Sequence, residues 1–356
     1  MLDELIEAKD FATSVKYSGD TLIADQSMKV ENDEIDTYFS LNSILVTSDV
    51  TPIISNSIDS VIERLKIPKS SVKAYVYASP EIQAACYAGN DTDCVIRLSS
   101  GLIDILENEE IEFVIGHELG HFLYDHGLAI RSNENDSLEF LIQKRAQEVS
   151  ADRIGLLASE SLDVSIRAMM KTMSGLSSKY LNFNIGAFLS QLSNTEQFKS
   201  QIDINSTHPS ILIRCRALLW FSMSETFKTG KQDYQVNEVK KLNNKIKRDI
   251  DKFIDSVARQ KIEKLKHDVA LWLCASKIIE DNTFNNAEQK VFLDMFGEEL
   301  LGKLKNFLSS HNNASSVKKS VSDKLGIAIN NLQGEIPASF EKEMAVLEQE
   351  IRSNFV

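Results

Sequence analysis

Two histidines and a glutamate stand together in the run His117-Glu118-Leu119-Gly120-His121. On a helix, residues four apart lie one turn above each other, so both imidazoles can reach a single ion. Glu118 is turned about 100° from His117 around the helix axis. That sets its carboxylate beside such an ion, where it can hold a water and take its proton. A buried helix whose histidines merely bond to nearby carbonyls accounts for the same five residues, because short motifs recur by accident. A third ligand has to decide between the two.

A metzincin would place a third histidine at 127, but that position is Gly127, and His126 falls one residue short. Further on, 26 residues separate His121 from Glu148, in the run Arg145-Ala146-Gln147-Glu148-Val149-Ser150-Ala151-Asp152-Arg153. Glu148 and Asp152 are four apart and share a helical face, where two like charges disfavour a plain surface helix. A cation and a histidine N–H between them would turn that cost into a use, with Glu148 as third ligand and Asp152 as the acceptor orienting His117 or His121. The competing reading is that Arg145 and Arg153 neutralise the pair.

The motif needs a helix, and the local sequence supplies one. Asn108 is a candidate N-cap, and Glu109, Glu110 and Glu112 put negative charge in the first turns, where the helix dipole favours it. Phe113, Val114, Ile115, Leu119, Phe122 and Leu123 are too apolar for a solvated helix, so the histidines ride on a buried element. Gly116 and Gly120, again four apart, imply a face packed closely against another backbone.

With 356 residues the chain has room for two domains, or for one large domain with a long extension. Five prolines and fourteen glycines point to a mainly helical chain. The formal charge of −13 works against nucleic-acid binding. No apolar run approaches the ~18–20 residues of a membrane span, and the acidic start lacks a signal peptide's basic and apolar regions. Cys86, Cys94, Cys215 and Cys274 have no C-x-x-C spacing and read as reduced thiols. Cytoplasmic location is the expectation.

Along the chain, residues 1–50 form an acidic arm, with Asp33-Glu34-Ile35-Asp36 near its middle, and Thr51 to Leu65 an amphipathic helix. Val72 to Ala78 and Cys94 to Leu98 read as strands, with a turn over 89–93 and a short helix from Leu102 to Leu106. A peptide could add itself to the edge of such a sheet; a sheet that only covers the helix is the plainer alternative. After a loop over 132–137, Ser137 can cap the helix that carries Glu148. Residues 156–200 look helical, and Met169, Met170 and Met173 read as core filler. Thr207-His208-Pro209-Ser210 breaks that pattern, with Arg214 six residues after His208. From Asn237 the chain is helical again, with the apolar stripe Ile246, Ile250, Phe253, Ile254 and Val257, an N-cap at Asn285, and two closing amphipathic segments.

Residues about 72–218 resemble the HtpX/CAAX-prenyl-protease family of zinc metallopeptidases, which are gluzincins. The resemblance is carried by Ser79-Pro80-Glu81-Ile82, Ser99-Ser100-Gly101-Leu102-Ile103, HELGH followed by His126-Gly127, Glu148-Val149-Ser150-Ala151-Asp152, and Thr207-His208-Pro209 with Arg214. It implies one zinc per chain held by His117, His121 and Glu148, with Glu118 as catalytic base. It also implies Asp152 behind the ligands, and His208 and Arg214 near the cleft, His208 in a catalytic part and Arg214 in a supporting one. Many members span membranes and carry Asn-Ala-Phe where this chain has Gln83-Ala84-Ala85. Residues about 266–308 are similar to tellurite-resistance (TerB-like) helical domains through the spacing of Asp281, Phe284, Asn285 and Glu288.

The expected architecture is mainly α with a small antiparallel β-sheet, the metallopeptidase domain over 51–225 and an all-helical C-terminal domain over 237–356. The expected function is a zinc-dependent endopeptidase acting on peptide or unfolded protein, with the C-terminal helices offered to a protein partner. His208 or Tyr124 would donate to the oxyanion. The rival is a non-catalytic, zinc-containing binding or chaperone-like protein of the same fold, which would have no use for Glu118. An all-helical scaffold without metal is a third reading.

Overall fold

The computed structural model describes residues 16–18, 21–23, 39–88, 94–124, 126, 137–195, 210–228, 241–246, 248, 256–280, 284–310 and 313–354. The acidic stretch 33–36, the turn 89–93, the loop 132–136, His208 and most of the stripe after Ile246 lie outside them. The chain divides into two compact units, one of Asp3–Ser132 with Ile142–Ile254, the other chiefly of Asn133–Leu141 with Asp255–Val356.

In the first unit, strands β1 (Lys16–Ser18) and β2 (Thr21–Ile23) form an antiparallel ribbon. Strands β3 (Ile44–Leu45), β4 (Val72–Tyr77), β5 (Ala84–Ala88) and β6 (Cys94–Ser99) form one sheet in the order β3-β4-β6-β5. The antiparallel pairing expected of the sheet holds for β3 with β4 and β5 with β6, but β4 and β6 run parallel, so the sheet is mixed. The cause is β5, which the sequence reading passed over. It folds back on β6 as a hairpin, and β6 then slots in beside β4 in β4's own direction.

What launches β5 is a meeting of two of the quoted motifs. The Ser99 hydroxyl accepts from the N–H groups of Gln83 (3.1 Å) and Leu102 (3.2 Å) and donates to the Glu81 carbonyl (2.6 Å). It thereby caps helix α2 (Ser100–Ile105) and fixes the turn before β5 at once. A Cβ at Gly101 would lie 2.6 Å from the Pro80 carbonyl oxygen, so only glycine permits this contact.

Helix α1 spans Pro52–Arg64, α3 Asn108–Leu123 and α4 Leu138–Ser159. The N-cap of α3 is Glu107, one residue before the expected Asn108, because the Glu110 carboxylate accepts from the Glu107 N–H at 2.8 Å in a capping box. Ser137 does cap α4, its hydroxyl accepting from the Phe140 N–H at 3.2 Å. Residues 156–195 are not one helix. Helix α4 stops at Ser159, α5 runs Leu162–Ser174 to a left-handed Gly175, and α6 spans Ile185–Thr195. Met169 and Met170 fill the core, whereas Met173, 52% exposed in the last turn of α5, does not. Helix α7 (Ile211–Ser222) begins right after Ser210 and buries Leu212, Ile213, Leu218 and Phe221.

Helices α3 and α4 approach at backbone distance, as the two glycines implied. A Cβ on Gly116 would meet the Ala158 Cβ at 2.3 Å, one on Gly120 the Ala151 Cα at 2.9 Å, and one on Gly155 the Phe113 carbonyl at 2.8 Å. Arg64 clamps the same pair, donating through Nη1 to Glu112 on α3 (2.5 Å) and to the Ala158 carbonyl on α4 (2.6 Å). Gly120→Ala is expected to lower stability by about 1–3 kcal/mol, because a rigid backbone and not a pliant side chain stands in the way. Gly302, which has open space at its Cβ position, supplies the control, since Gly302→Ala should be neutral or stabilising by about 0.5–1 kcal/mol. Urea melts of the two variants check the contrast.

The second unit is built from α8 (Ser256–Ile278), α9 (Asn286–Ser309), α10 (Ala314–Glu335) and α11 (Phe340–Asn354). Ile262, Val269, Cys274, Phe292, Val321, Leu332 and Leu347 are among its buried residues. Asn285 caps α9 as expected, with Glu288 closing the box, so two residues of the TerB-like spacing serve a helix end. Asp281 lies outside the described residues. No helix among the described residues is long and apolar enough to cross a membrane.

Candidate active site

Helix α3 presents His117 and His121 one turn apart, and the close α3–α4 contact brings Glu148 up to them. His117 Nε2 and His121 Nε2 are 3.1 Å apart, and the Glu148 carboxylate oxygens lie 3.6 Å from the first and 3.4 Å from the second. Ligands about 2.0–2.1 Å from a tetrahedral ion are separated from one another by about 3.3 Å. The two imidazole nitrogens, and the carboxylate oxygen nearest to each (Oε2 for His117, Oε1 for His121), are thus about as far apart as ligands of one ion would be. Two imidazole nitrogens and a carboxylate oxygen are also the donor set that zinc accepts. Among the described residues, these three form the group of histidine, cysteine and acidic side chains able to hold a metal.

The side chains behind them are buried and fully engaged. Asp152 Oδ1 lies 3.0 Å from His117 Nδ1, which settles which histidine it serves. Asp152 also takes a two-pronged contact from Arg214, whose Nε donates to Oδ2 at 2.7 Å and Nη2 to Oδ1 at 2.6 Å. Arg214 Nη1 stands 2.9 Å from Glu148 Oε2. The like-charged pair on α4 is thus neutralised by a residue from α7. Arg153 instead donates to Asn243 at 2.6 Å and lies over the Phe221 ring.

The electrostatics follow from this placement. Burial works to raise the Glu148 carboxyl, but the Arg214 guanidinium and the two imidazoles outweigh it and hold the group well below the usual carboxylate range. Asp152 behaves alike, with burial opposed by Arg214 and His117, and the net shift is downward. Burial would lower His117, yet the Asp152 carboxylate bonded to it carries the net shift upward. A carboxylate on the far nitrogen makes the near one a better donor.

Glu118 follows His117 and is partly exposed, as are both histidines, so the groups on this face of α3 are not sealed off. Tyr124, named as an oxyanion donor, stacks on the His126 ring with centroids 5.5 Å apart, behind His121. His208, the other donor named, lies outside the described residues. The reading of the sequence found no task for His126, which the structure sets 2.9 Å from His121 through the two Nδ1 atoms. Its position five residues after His121 was visible, but the fold of the chain after α3 was not.

Comparison with known proteins agrees with the geometry. Residues 49–136 match the family model described as Peptidase family M48, a stretch that holds both histidines and Glu118 and ends before Glu148. The plastoglobule-localized metallopeptidase 48 of Arabidopsis thaliana chloroplasts is 26% identical over 185 residues, covering 44% of this chain and 53% of the relative. Metalloprotease YcaL of Escherichia coli is 44% identical over 54 residues, covering 15% and 20%. The chain thus spans about half the length of the first and a fifth of the second. No solved structure matches. The histidine-bearing part of this chain is similar to the HtpX-like zinc metallopeptidases of Peptidase family M48.

Proposed function

We propose that the chain is a zinc-dependent endopeptidase that takes peptide or unfolded protein. The observation that carries this reading is the convergence of His117, His121 and Glu148 on one point, with Glu118 next in sequence to the first of them. Zinc held by those three supplies a Lewis acid that acidifies a water and polarises a carbonyl.

The chain's own residues do the rest. Asp152 accepts a hydrogen bond from the His117 Nδ1–H, which keeps the Nε2 lone pair directed at the other ligands. Arg214 holds Asp152 and Glu148 ionised and in place. The Glu118 carboxylate takes a proton from the attacking water and returns it to the leaving amine. Among the described residues strand β5 ends the sheet, so an extended peptide can add to it through main-chain hydrogen bonds. That mode favours unfolded substrates over compact ones. His208 is assigned to the cleft on the resemblance alone. The four free thiols suit a reducing compartment, and the proposed location is the cytoplasm.

Glu148→Ala tests the ligand set. Zinc per chain, measured by elemental analysis after dialysis against a weak chelator, should fall from about one to a small fraction of that. Full occupancy in the variant would assign the third ligand elsewhere. Casein digestion by the zinc-loaded wild type tests the activity, and inertness towards unfolded substrates would favour the non-catalytic reading.

A further inference from the structure

We infer that His126 is the positioning residue for His121, doing with an imidazole what Asp152 does for His117 with a carboxylate. This rests on the proposed metal site. His121 faces His117 and Glu148 with Nε2. To offer that nitrogen's lone pair it must carry its proton on Nδ1, and an Nδ1–H in a half-buried ring needs an acceptor. Asp152 is spent on His117 and Arg214. The atom standing 2.9 Å from His121 Nδ1 is His126 Nδ1. It can accept only if His126 keeps its own proton on Nε2, so the pair fixes both tautomers together.

His126 is held for this task from three sides. Its N–H donates to the His121 carbonyl at 3.0 Å, folding the chain back beneath the ligand immediately after α3. Its carbonyl accepts from Lys144 Nζ at 2.7 Å, and Lys144 stands one turn before Glu148 on α4. The residue is 4% exposed, and its ring stacks on Tyr124 at an interplanar angle of 27°. A residue that only filled space would not need its nitrogen aimed at a ligand's nitrogen. The arrangement also makes the two ligands unequal, one backed by an anion and the other by a neutral ring.

The test is zinc affinity of the full chain at fixed pH, read by competition with a chromophoric chelator, beside the melting temperature of the metal-free protein. In His126→Asn the side-chain oxygen falls where Nδ1 was, and affinity should stay within about threefold of wild type. In His126→Gln the amide reaches past that point, and in His126→Leu there is no acceptor. Both should bind zinc about 10–100-fold more weakly, the range for removing a group that orients a ligand. Wild-type affinity in the Gln and Leu variants overturns the proposal. So does an equal loss in all three, or a loss in each that simply follows its drop in melting temperature. The Asn and Gln pair keeps the comparison open if the Leu variant does not fold. Unchanged affinity in Glu148→Ala would be a different failure, that of the metal site itself.

Discussion

Glu118→Gln is expected to bind zinc as the wild type does and to cleave casein at least 10²–10⁴-fold more slowly, the range that a positioned general base contributes. The substitution keeps the size of the side chain and its place after His117, while removing its ability to accept a proton. Because Glu118 is absent from the three ligand contacts, metal content should not change. Turnover and zinc content measured on one preparation check both halves. Unchanged turnover would take Glu118 out of the base role, and lost zinc would make it a ligand.

Arg214→Met should have the largest effect on folding. Arg214 neutralises two carboxylates, Asp152 and Glu148, both buried. Removing one partner of such a network leaves uncompensated charge inside the protein, at a cost of about 3–5 kcal/mol. The pH dependence should weaken as well. In the wild type both carboxyls are shifted down, so their stabilisation is fully present above the ordinary carboxylate value of about 4 and is lost as the pH falls through the lower folded values. Without Arg214 only the imidazoles oppose burial, so both folded values move up towards the unfolded ones. The variant should therefore lose less stability than the wild type as the pH falls below about 4. Denaturant melts of the metal-free proteins across that range would show the wild type declining more steeply. A variant that declines in parallel would mean that the guanidinium does not set these two groups.

The parts of this site that lie within one helix were legible in the sequence. HELGH gives two imidazoles and a carboxylate at fixed angles, and Glu148 with Asp152 gives a second acidic face, because helical geometry is local. Gly116 and Gly120 even announced the close neighbour. Which histidine Asp152 would serve was not legible. It depends on the register of α4 against α3, set by contacts of Gly116, Gly120 and Gly155 with residues some thirty to forty positions away. Arg214 was reached only through the family resemblance, since Arg145 and Arg153 were nearer in sequence to the acidic pair that α7 brings it against.

The sheet shows the same limit. Strands β4 and β6 were visible in Val72 to Ala78 and Cys94 to Leu98, where larger apolar residues recur. Strand β5 is Ala84-Ala85-Cys86-Tyr87-Ala88, with no β-branched residue to mark it. Its pairing comes from the Ser99 hydroxyl and the bare Cα of Gly101, contacts that span the turn. Missing β5 concealed the parallel pairing of its neighbours.

X-ray absorption at the zinc edge of the loaded chain tests the central claim most directly. The expected result is a first shell of nitrogen and oxygen at about 2.0–2.1 Å with the outer-shell signature of two imidazoles, and loss of bound zinc in Glu148→Ala. A sulfur shell at about 2.3 Å, which would assign the ion to cysteines, or failure of the wild-type chain to retain zinc, would contradict it.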